Sequence, residues 1–157
     1  MPQSKTAASQ VTHNLSPHLV CAGAADAIEF YKRAFGAEEM IRIPTDDNKI
    51  LHAALMINGA MVMLTDENRR YGALSPKALN GTPVVLHLNV PDVDAFVERA
   101  VAAGAKTVMP VQDMFWGDRY GQIEDPHGHR WSLATHLRDL TEAELKEAAR
   151  KAMSGKG

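Results

Sequence analysis

The stretch that decides the fold is residues 115–136, FWGDRYGQIEDPHGHRWSLATH. Its centre, Asp125-Pro126-His127-Gly128, has the composition of a tight turn: proline fixes one backbone dihedral, glycine accepts a positive φ, and the aspartate can bond amides across the turn. On either side of this turn, side chains of two kinds alternate. That period of two predicts a β-hairpin with one crowded face and one polar or ligand-facing face. A hairpin is not stable alone, so the rest of the chain must supply a sheet.

The order of elements before this hairpin occurs twice. The first half reads as a strand at 18–21, a helix ended by Gly36, and strands at 38–43, 50–57 and 60–65, the last two joined by Asn58-Gly59. The second half reads as a strand at 84–90, a helix that starts at Pro91-Asp92 and stops at Gly104, a strand at 106–110, and the hairpin.

The two halves also align residue by residue. Gly36 falls on Gly104 at an offset of 68 (104 − 36), and His18 falls on His87 at an offset of 69 (87 − 18). Gly59 of the first hairpin falls on Gly128 of the second, again at 69 (128 − 59). We interpret the chain as a tandem duplication of a β-α-β-β-β module, in which each half needs the other to bury one face. The fold class is therefore α+β.

Composition excludes several classes of function. The 157 residues are 45% hydrophobic and 23% charged, which is ordinary for a soluble globular protein. A net charge of −2 gives no electrostatic case for a nucleic-acid partner. Cys21 is the only cysteine, which rules out an internal disulfide. No signal peptide or membrane-spanning run is evident, so we expect a cytoplasmic protein without a membrane partner.

The chain divides into three parts. Residues 1–14 are expected to be a disordered arm, and residues 15–136 form the domain, with module one at 15–65, a linker or mobile flap at 66–82, and module two at 83–136. Residues 137–157 are a C-terminal helix and tail, with a capping box that starts at Thr141. The apolar face of this helix has to dock on its own chain or on a partner subunit, and we expect a homodimer.

These features resemble the vicinal oxygen chelate superfamily, which includes glyoxalase I, extradiol dioxygenases, fosfomycin-resistance enzymes and bleomycin-resistance proteins. The resemblance rests on the two modules, the 28–37 helix, the 92–95 helix start and the Asp125-Pro126-x-Gly128-x-x-Trp131 hairpin. The segments 116–121 and 131–136 are similar to its PhnB-like members. The resemblance implies a glyoxalase/bleomycin-resistance fold, with paired modules that form one cup-shaped mixed sheet.

Metal-binding members of that superfamily place ligands on the first and last strand of each module, so that a substrate with adjacent oxygens can chelate the metal. Those positions fall here on four side chains that are poor ligands for a divalent ion: Ser16, Val85, Met63 and Ser132. His18 and His87 lie two residues beyond the first-strand positions, on the same strand face. They are the candidate ligands for zinc, iron, manganese or nickel, and the alternative is that they are hydrogen-bonded pocket or core histidines.

Two functions follow, and the sequence does not separate them. The first is a metal-dependent lyase, isomerase or dioxygenase, with His18 and His87 as ligands and Glu124 as the base. The second is a metal-free protein that sequesters a small aromatic or amphiphilic compound, a drug or a toxin. The candidate substrate-binding residues are shared by both: Met63, Phe115, Trp116, Arg119, Tyr120 and Ser132. The hairpin histidines His127 and His129 are expected to be solvated.

Overall fold

The computed structural model describes residues 14–155, so the predicted arm lies almost wholly outside the described residues. The first module contains β1, α1, β2, β3 and β4, which span His18–Cys21, Ala24–Phe35, Glu38–Pro44, Ile50–Ile57 and Ala60–Asp66. The second module contains β5, α3, β6, β7 and β8, which span Val85–Asn89, Val93–Ala102, Lys106–Asp113, Asp118–Glu124 and Arg130–His136. This order confirms the predicted duplication of a β-α-β-β-β module.

The linker between the modules has structure of its own. It contains a single 3₁₀ turn, Arg69–Tyr71, and a short helix α2, Pro76–Leu79. Ser75 caps α2 by accepting a hydrogen bond from the amide of Ala78, and its own hydroxyl donates to Glu67 at 2.5 Å. The linker is therefore fastened to the end of β4.

The cup-shaped mixed sheet that the resemblance implies is built as two four-stranded mixed sheets, β1-β4-β3-β2 and β5-β8-β7-β6. In each sheet the first strand is an edge strand and pairs in parallel with the last strand of its module. The free edge of β1 meets the second hairpin, because the ring of His129 donates from Nε2 to the carbonyl of Val20 at 2.9 Å. The two edges β1 and β5 are not hydrogen-bonded to each other within the described chain.

Helices α1 and α3 share one core. Each helix covers one face of its own sheet, and α1 packs against α3. Phe35 of α1 stacks on Phe96 of α3 with ring centroids 5.1 Å apart, and it meets Trp131 of β8 at 4.9 Å. Burial of these large rings supplies much of the apolar area that holds the modules together. The opposite face of each sheet lies away from this core.

Helix ends follow the sequence signals. Gly36 ends α1 in the left-handed conformation, and Asp92 caps α3 by accepting from the amide of Ala95 at 3.1 Å. The start of α1 is capped from outside the helix, because Asp66 at the end of β4 accepts from the amides of Gly23 and Ala24.

The C-terminal helix α4, Glu142–Ser154, begins with the predicted capping box, in which Thr141 and Glu144 each bond the other's backbone amide. No residue of α4 is buried, so its apolar side chains are not fully covered within residues 14–155. Across that same range, no helix is long and apolar enough to cross a lipid bilayer.

Candidate ligand-binding site

The predicted site residues divide between the two sheet faces that the helices leave open. We call the face that carries His18, His52 and Met63 the first face, and the face that carries His87, Tyr120 and Ser132 the second face. Strand register fixes these groups: His18 lies beside Met63, and His87 lies beside Ser132. The two pairs are equivalent under the repeat, and they stand on different sheets of one chain.

The second face has a hydrogen-bonded polar centre. Nδ1 of His87 lies 2.7 Å from Oγ of Ser132, and Nε2 of the same ring lies 3.3 Å from Oδ1 of Asn89. Ser132 is 4% exposed, whereas the ring of His87 reaches the surface of the face. Asn89 was not predicted, although its position two residues after His87 on the same strand places both on one face.

Aromatic rings surround this centre on one side. Tyr120 lies parallel to His87 with centroids 6.2 Å apart, and Trp116 meets Tyr120 edge-on at 5.2 Å. Phe115 meets Trp116 at 5.1 Å. All three aromatic side chains are half-buried, so part of each ring is open to solvent. The structure thus brings together five predicted residues: His87, Phe115, Trp116, Tyr120 and Ser132.

Gln122 completes the polar edge of this group. It lies directly opposite Ser132 in the β7–β8 ladder, and its Nε2 donates to the hydroxyl of Tyr120 at 2.9 Å. Gln122 was not predicted, although the hairpin register gives it: a turn at 125–129 pairs 124 with 130 and therefore 122 with 132.

The first face is less polar. His18 meets His52 edge-on with ring centroids 5.9 Å apart, and Met63 lies between β1 and β3. Three apolar side chains on this face are more than 40% exposed: Ile41, Ile43 and Met61. This open apolar surface contrasts with the polar centre of the second face.

Two other predicted residues lie apart from the His87 group. Arg119 stands on the opposite side of β7, where its guanidinium binds Asp94 at 2.6 and 2.9 Å and Asp113 at 2.9 Å. These carboxylates raise the pKa of Arg119 further above its ordinary value and leave the side chain little freedom to reach a ligand. Glu124 is on the second face at the hairpin end of β7, paired with Arg130.

His136 marks the other end of the second face. Its Nδ1 lies 2.8 Å from Asp118, and its Nε2 lies 2.7 Å from Asp139. Hydrogen bonds to these carboxylates raise the pKa of His136 above its ordinary value.

The second hairpin is a buried joint, which corrects the expectation that its histidines are solvated. The carboxylate of Asp125 accepts from Tyr31 at 2.5 Å, from the indole of Trp131 at 2.9 Å, and from the amides of His127 and His129. His127 is only 7% exposed, and its Nδ1 has no hydrogen-bond partner among the described residues.

Burial in this joint shifts the ionisation of several groups. It lowers the pKa of His127, against the opposing charge of Asp125, and raises the pKa of the Cys21 thiol to about 12. Burial and the neighbouring carboxylate together hold the pKa of Tyr31 well above its ordinary value. Cys21 is therefore a protonated core residue and a poor nucleophile.

An apolar cleft of about 540 Å³ lies between the modules. It lies beside the free edge of β1 and is bounded by residues of the linker and by the start of β5, among them Leu74, Pro76, Leu79 and Val84. His18 belongs both to this cleft and to the first face.

The sequence matches the Glyoxalase/Bleomycin resistance protein/Dioxygenase superfamily over residues 11–133. The chain belongs to this superfamily. It is 48% identical over 149 residues to the uncharacterized protein Rv0887c of Mycobacterium tuberculosis (strain ATCC 25618 / H37Rv), a match that covers 93% of this chain and 88% of that protein.

Solved structures of the superfamily confirm the predicted fold class. The crystal structure of TioX from Micromonospora sp. ML1 superposes with a TM-score of 0.64 at 31% identity, covering 78% of this chain and 98% of that one. The PhnB protein from Bacillus cereus superposes with a TM-score of 0.60 at 20% identity, covering 78% of this chain and 98% of that one, which shows a shared fold.

The residues of this chain do not fit the metal centre that the superfamily implies. Within residues 14–155, no three His, Cys, Asp or Glu side chains lie close enough together to hold a metal ion. Both ring nitrogens of His87 already have partners, and neither Met63 nor Ser132 supplies a carboxylate. Two imidazoles on separate sheets fall short of the three or four ligands that zinc or iron takes in proteins.

Proposed function

We propose that the protein binds a small planar organic molecule on the second face, without a resident metal. The observation that carries this proposal is the cluster of Phe115, Trp116 and Tyr120 against His87, with partly open rings. Such a surface offers flat apolar area for stacking, and the hydroxyls and amide of Ser132, Tyr120 and Gln122 can orient a ligand's polar groups. Of the two functions that the sequence allows, this is the sequestration of a small molecule without a metal.

The chain's two tryptophans make the proposal testable. Trp116 lies in the proposed site, and Trp131 lies in the core at 2% exposure. Titration with bleomycin or with 8-anilinonaphthalene-1-sulfonate should change tryptophan emission in the native chain and leave Trp116→Phe nearly unchanged. Trp116→Ala should weaken binding by about tenfold, as expected for loss of a stacked aromatic residue.

A matched control is Tyr71→Ala, which removes an exposed aromatic side chain from the linker. It should leave both the emission change and the affinity as in the native chain. Equal loss of binding in Tyr71→Ala and Trp116→Ala, or undiminished binding in Trp116→Ala, would contradict the proposed site.

We also propose that a second copy of the chain completes the site, so that the first face of one copy covers the second face of the other. Two features support this. The open faces lie away from the shared core of their own chain, and the first face exposes Ile41, Ile43 and Met61. The partly covered apolar side of α4 is a further surface for such a homodimer.

Mixed dimers test this shared site. Light scattering should give twice the chain mass, and Ile43→Lys on the first face should weaken the dimer while leaving each chain folded. A mixture of Ile43→Lys chains with Trp116→Ala chains should recover part of the binding that each variant alone has lost, because one of the two sites in a mixed dimer is then native. A monomer that binds as well as the native chain would refute the shared site.

The second candidate function is the metal-dependent lyase, isomerase or dioxygenase. What favours it is the equivalence of His18 and His87, which a shared site would bring to one cavity. Metal content of freshly purified protein, compared with the His18→Ala, His87→Ala double variant, decides between the two functions. We expect far less than one ion per chain in both; near-stoichiometric metal that the double variant loses would favour the enzyme.

A further inference from the structure

We propose that Ser132, His87 and Asn89 form a nucleophile, a base and an orienting group that transfer small acyl groups from activated esters to water. The inference rests on the proposed function, because it places the reaction on the same second face where a planar leaving group would stack. The reaction is placed at the polar centre of the second face, the position at which the resemblance to the superfamily implies a metal.

The hydrogen-bond partners assign one tautomer to His87. Oδ1 of Asn89 can only accept, so the Nε2 of His87 that lies 3.3 Å away must carry the proton. Nδ1 is then the unprotonated nitrogen, and the hydroxyl of Ser132, 2.7 Å away, donates to it. A hydroxyl that donates to an oriented neutral imidazole is the arrangement of an activated serine nucleophile.

Stacking holds the base in place. The ring of His87 lies within 18° of parallel to the ring of Tyr120, which limits its rotation out of the line between Ser132 and Asn89. A base whose second nitrogen and ring face are both restrained needs little reorganisation before proton transfer.

Donors for a developing negative charge lie on the neighbouring strand. Gln122 stands directly across from Ser132, and one of its amide protons already goes to the hydroxyl oxygen of Tyr120. The second amide proton of Gln122 and the hydroxyl proton of Tyr120 are left to stabilise an oxyanion.

Burial sets the size of the acyl group. Ser132 is 4% exposed and its Oγ lies 2.7 Å from Nδ1 at the edge of the His87 ring, so only a small acyl group can reach that Oγ. The leaving group can be larger and planar, because Tyr120 and Trp116 stand at the open side. The substrate class is therefore an acetyl or similarly short ester of a phenol-like alcohol.

The reaction balances with water as the only co-reactant. Oγ of Ser132 forms a bond to the acyl carbon while its proton passes to Nδ1 of His87, and the bond from that carbon to the leaving oxygen breaks as the oxygen takes the proton. Water then attacks the acyl-serine ester, again through Nδ1, and releases the short acid and the original hydroxyl.

The experiment uses the full chain and p-nitrophenyl acetate. Intact-mass spectrometry after brief mixing should show the gain of one acetyl group, and peptide mapping should place it on Ser132. Ser132→Ala should lose this adduct and lower the p-nitrophenol release rate by at least about a hundredfold. Replacing the substrate with p-nitrophenyl hexanoate should lower the native rate strongly, because the longer chain does not fit beside His87.

Two further variants separate chemistry from structure. His87→Ala should lose activity and, on addition of free imidazole, recover a rate above that of imidazole with p-nitrophenyl acetate alone. Ser132→Ala should gain nothing beyond that protein-free background, which separates rescue of the base from hydrolysis in solution. Ser154→Ala, which removes an exposed hydroxyl on α4, should keep the native rate.

Either of two results would overturn the inference: acetylation at lysines with no adduct on Ser132, or an unchanged rate in Ser132→Ala. Because tryptophan titration with 8-anilinonaphthalene-1-sulfonate needs no ester, intact binding together with an absent Ser132 adduct would refute the reaction alone. Loss of the Trp116-dependent emission change would refute the proposed binding function instead.

Discussion

The two hairpins of the repeat begin as the same local structure and end in different roles. In the first, Gly59 has a φ of +84° and nothing within 4 Å of the Cβ position, so Gly59 itself faces open space. In the second, Gly128 has a φ of +87°, and a Cβ there would lie 2.9 Å from Pro76 of the linker. The first hairpin reaches module two through an exposed bond from Asn58 to the carbonyl of Asn89, whereas the second hairpin is a buried joint. The turn composition does not reveal which of the two is buried.

Replacement of Asp125 should reveal the largest difference between the two hairpins in their contribution to the free energy of unfolding. Asp125→Ala leaves the hydroxyl of Tyr31, the indole of Trp131 and two backbone amides without their acceptor inside the core. We expect a loss of about 4 kcal/mol in the free energy of unfolding, because buried donors without partners carry their full desolvation penalty. Urea denaturation followed by circular dichroism measures it.

The matched change in the first hairpin is Asn58→Gly, which keeps a positive φ accessible and removes one exposed bond to the carbonyl of Asn89. It should cost less than about 1 kcal/mol. Similar losses in Asp125→Ala and Asn58→Gly would show that the second hairpin is not the joint.

The second difference concerns the glycines. Gly59→Ala and Gly128→Ala introduce the same methyl group at nearly the same φ, so each carries a backbone strain of about 1 kcal/mol. Gly128→Ala must also displace Pro76, which raises the expected loss to about 3 kcal/mol. The urea midpoints of the two variants measure this difference in stability. Equal midpoints would mean that Pro76 of the linker moves away from the added methyl group at no cost in stability.

The sequence predicted the modules well because each element is coded locally. The strand at His18–Cys21, the hairpin at Asn58-Gly59 and the capping box at Thr141 depend on residues within a few positions of one another, and all three are present. The alignment of the halves likewise predicted that His18 and His87 occupy equivalent places.

The arrangement of the two modules could not be predicted from the sequence, because it depends on contacts between residues that are far apart in the chain. The distribution of site residues over two faces follows from α1 packing on α3, and no local pattern specifies that contact. Arg119 shows the same limit: its alternation on β7 placed it opposite Tyr120, but its pairing with Asp94 depends on where α3 lies. His127 looked like a turn residue and is buried, in a hairpin whose Gly128 lies against Pro76 of the linker.

The smallest predicted effect is a dependence of stability on pH that only the second hairpin has. His127 falls on Asn58 under the repeat (127 − 58 = 69), and asparagine does not titrate. Burial lowers the pKa of His127, and Lys77 acts in the same direction, while Asp125 and Asp26 oppose it. The unfolded chain therefore takes up this proton first, at a pH of about 6.5.

Stability that depends on neutral His127 is consequently complete above about pH 6.5 and declines as the pH falls toward the lowered pKa of the folded state. His127→Asn should make the fall in urea midpoint between about pH 7.5 and pH 5.5 shallower than in the native chain. His136 has a raised pKa and changes stability in the opposite sense, but it is present in both proteins and cancels in the comparison. If the two proteins lose stability in parallel over this range, the joint is insensitive to the charge on His127, and the two hairpins differ in packing alone.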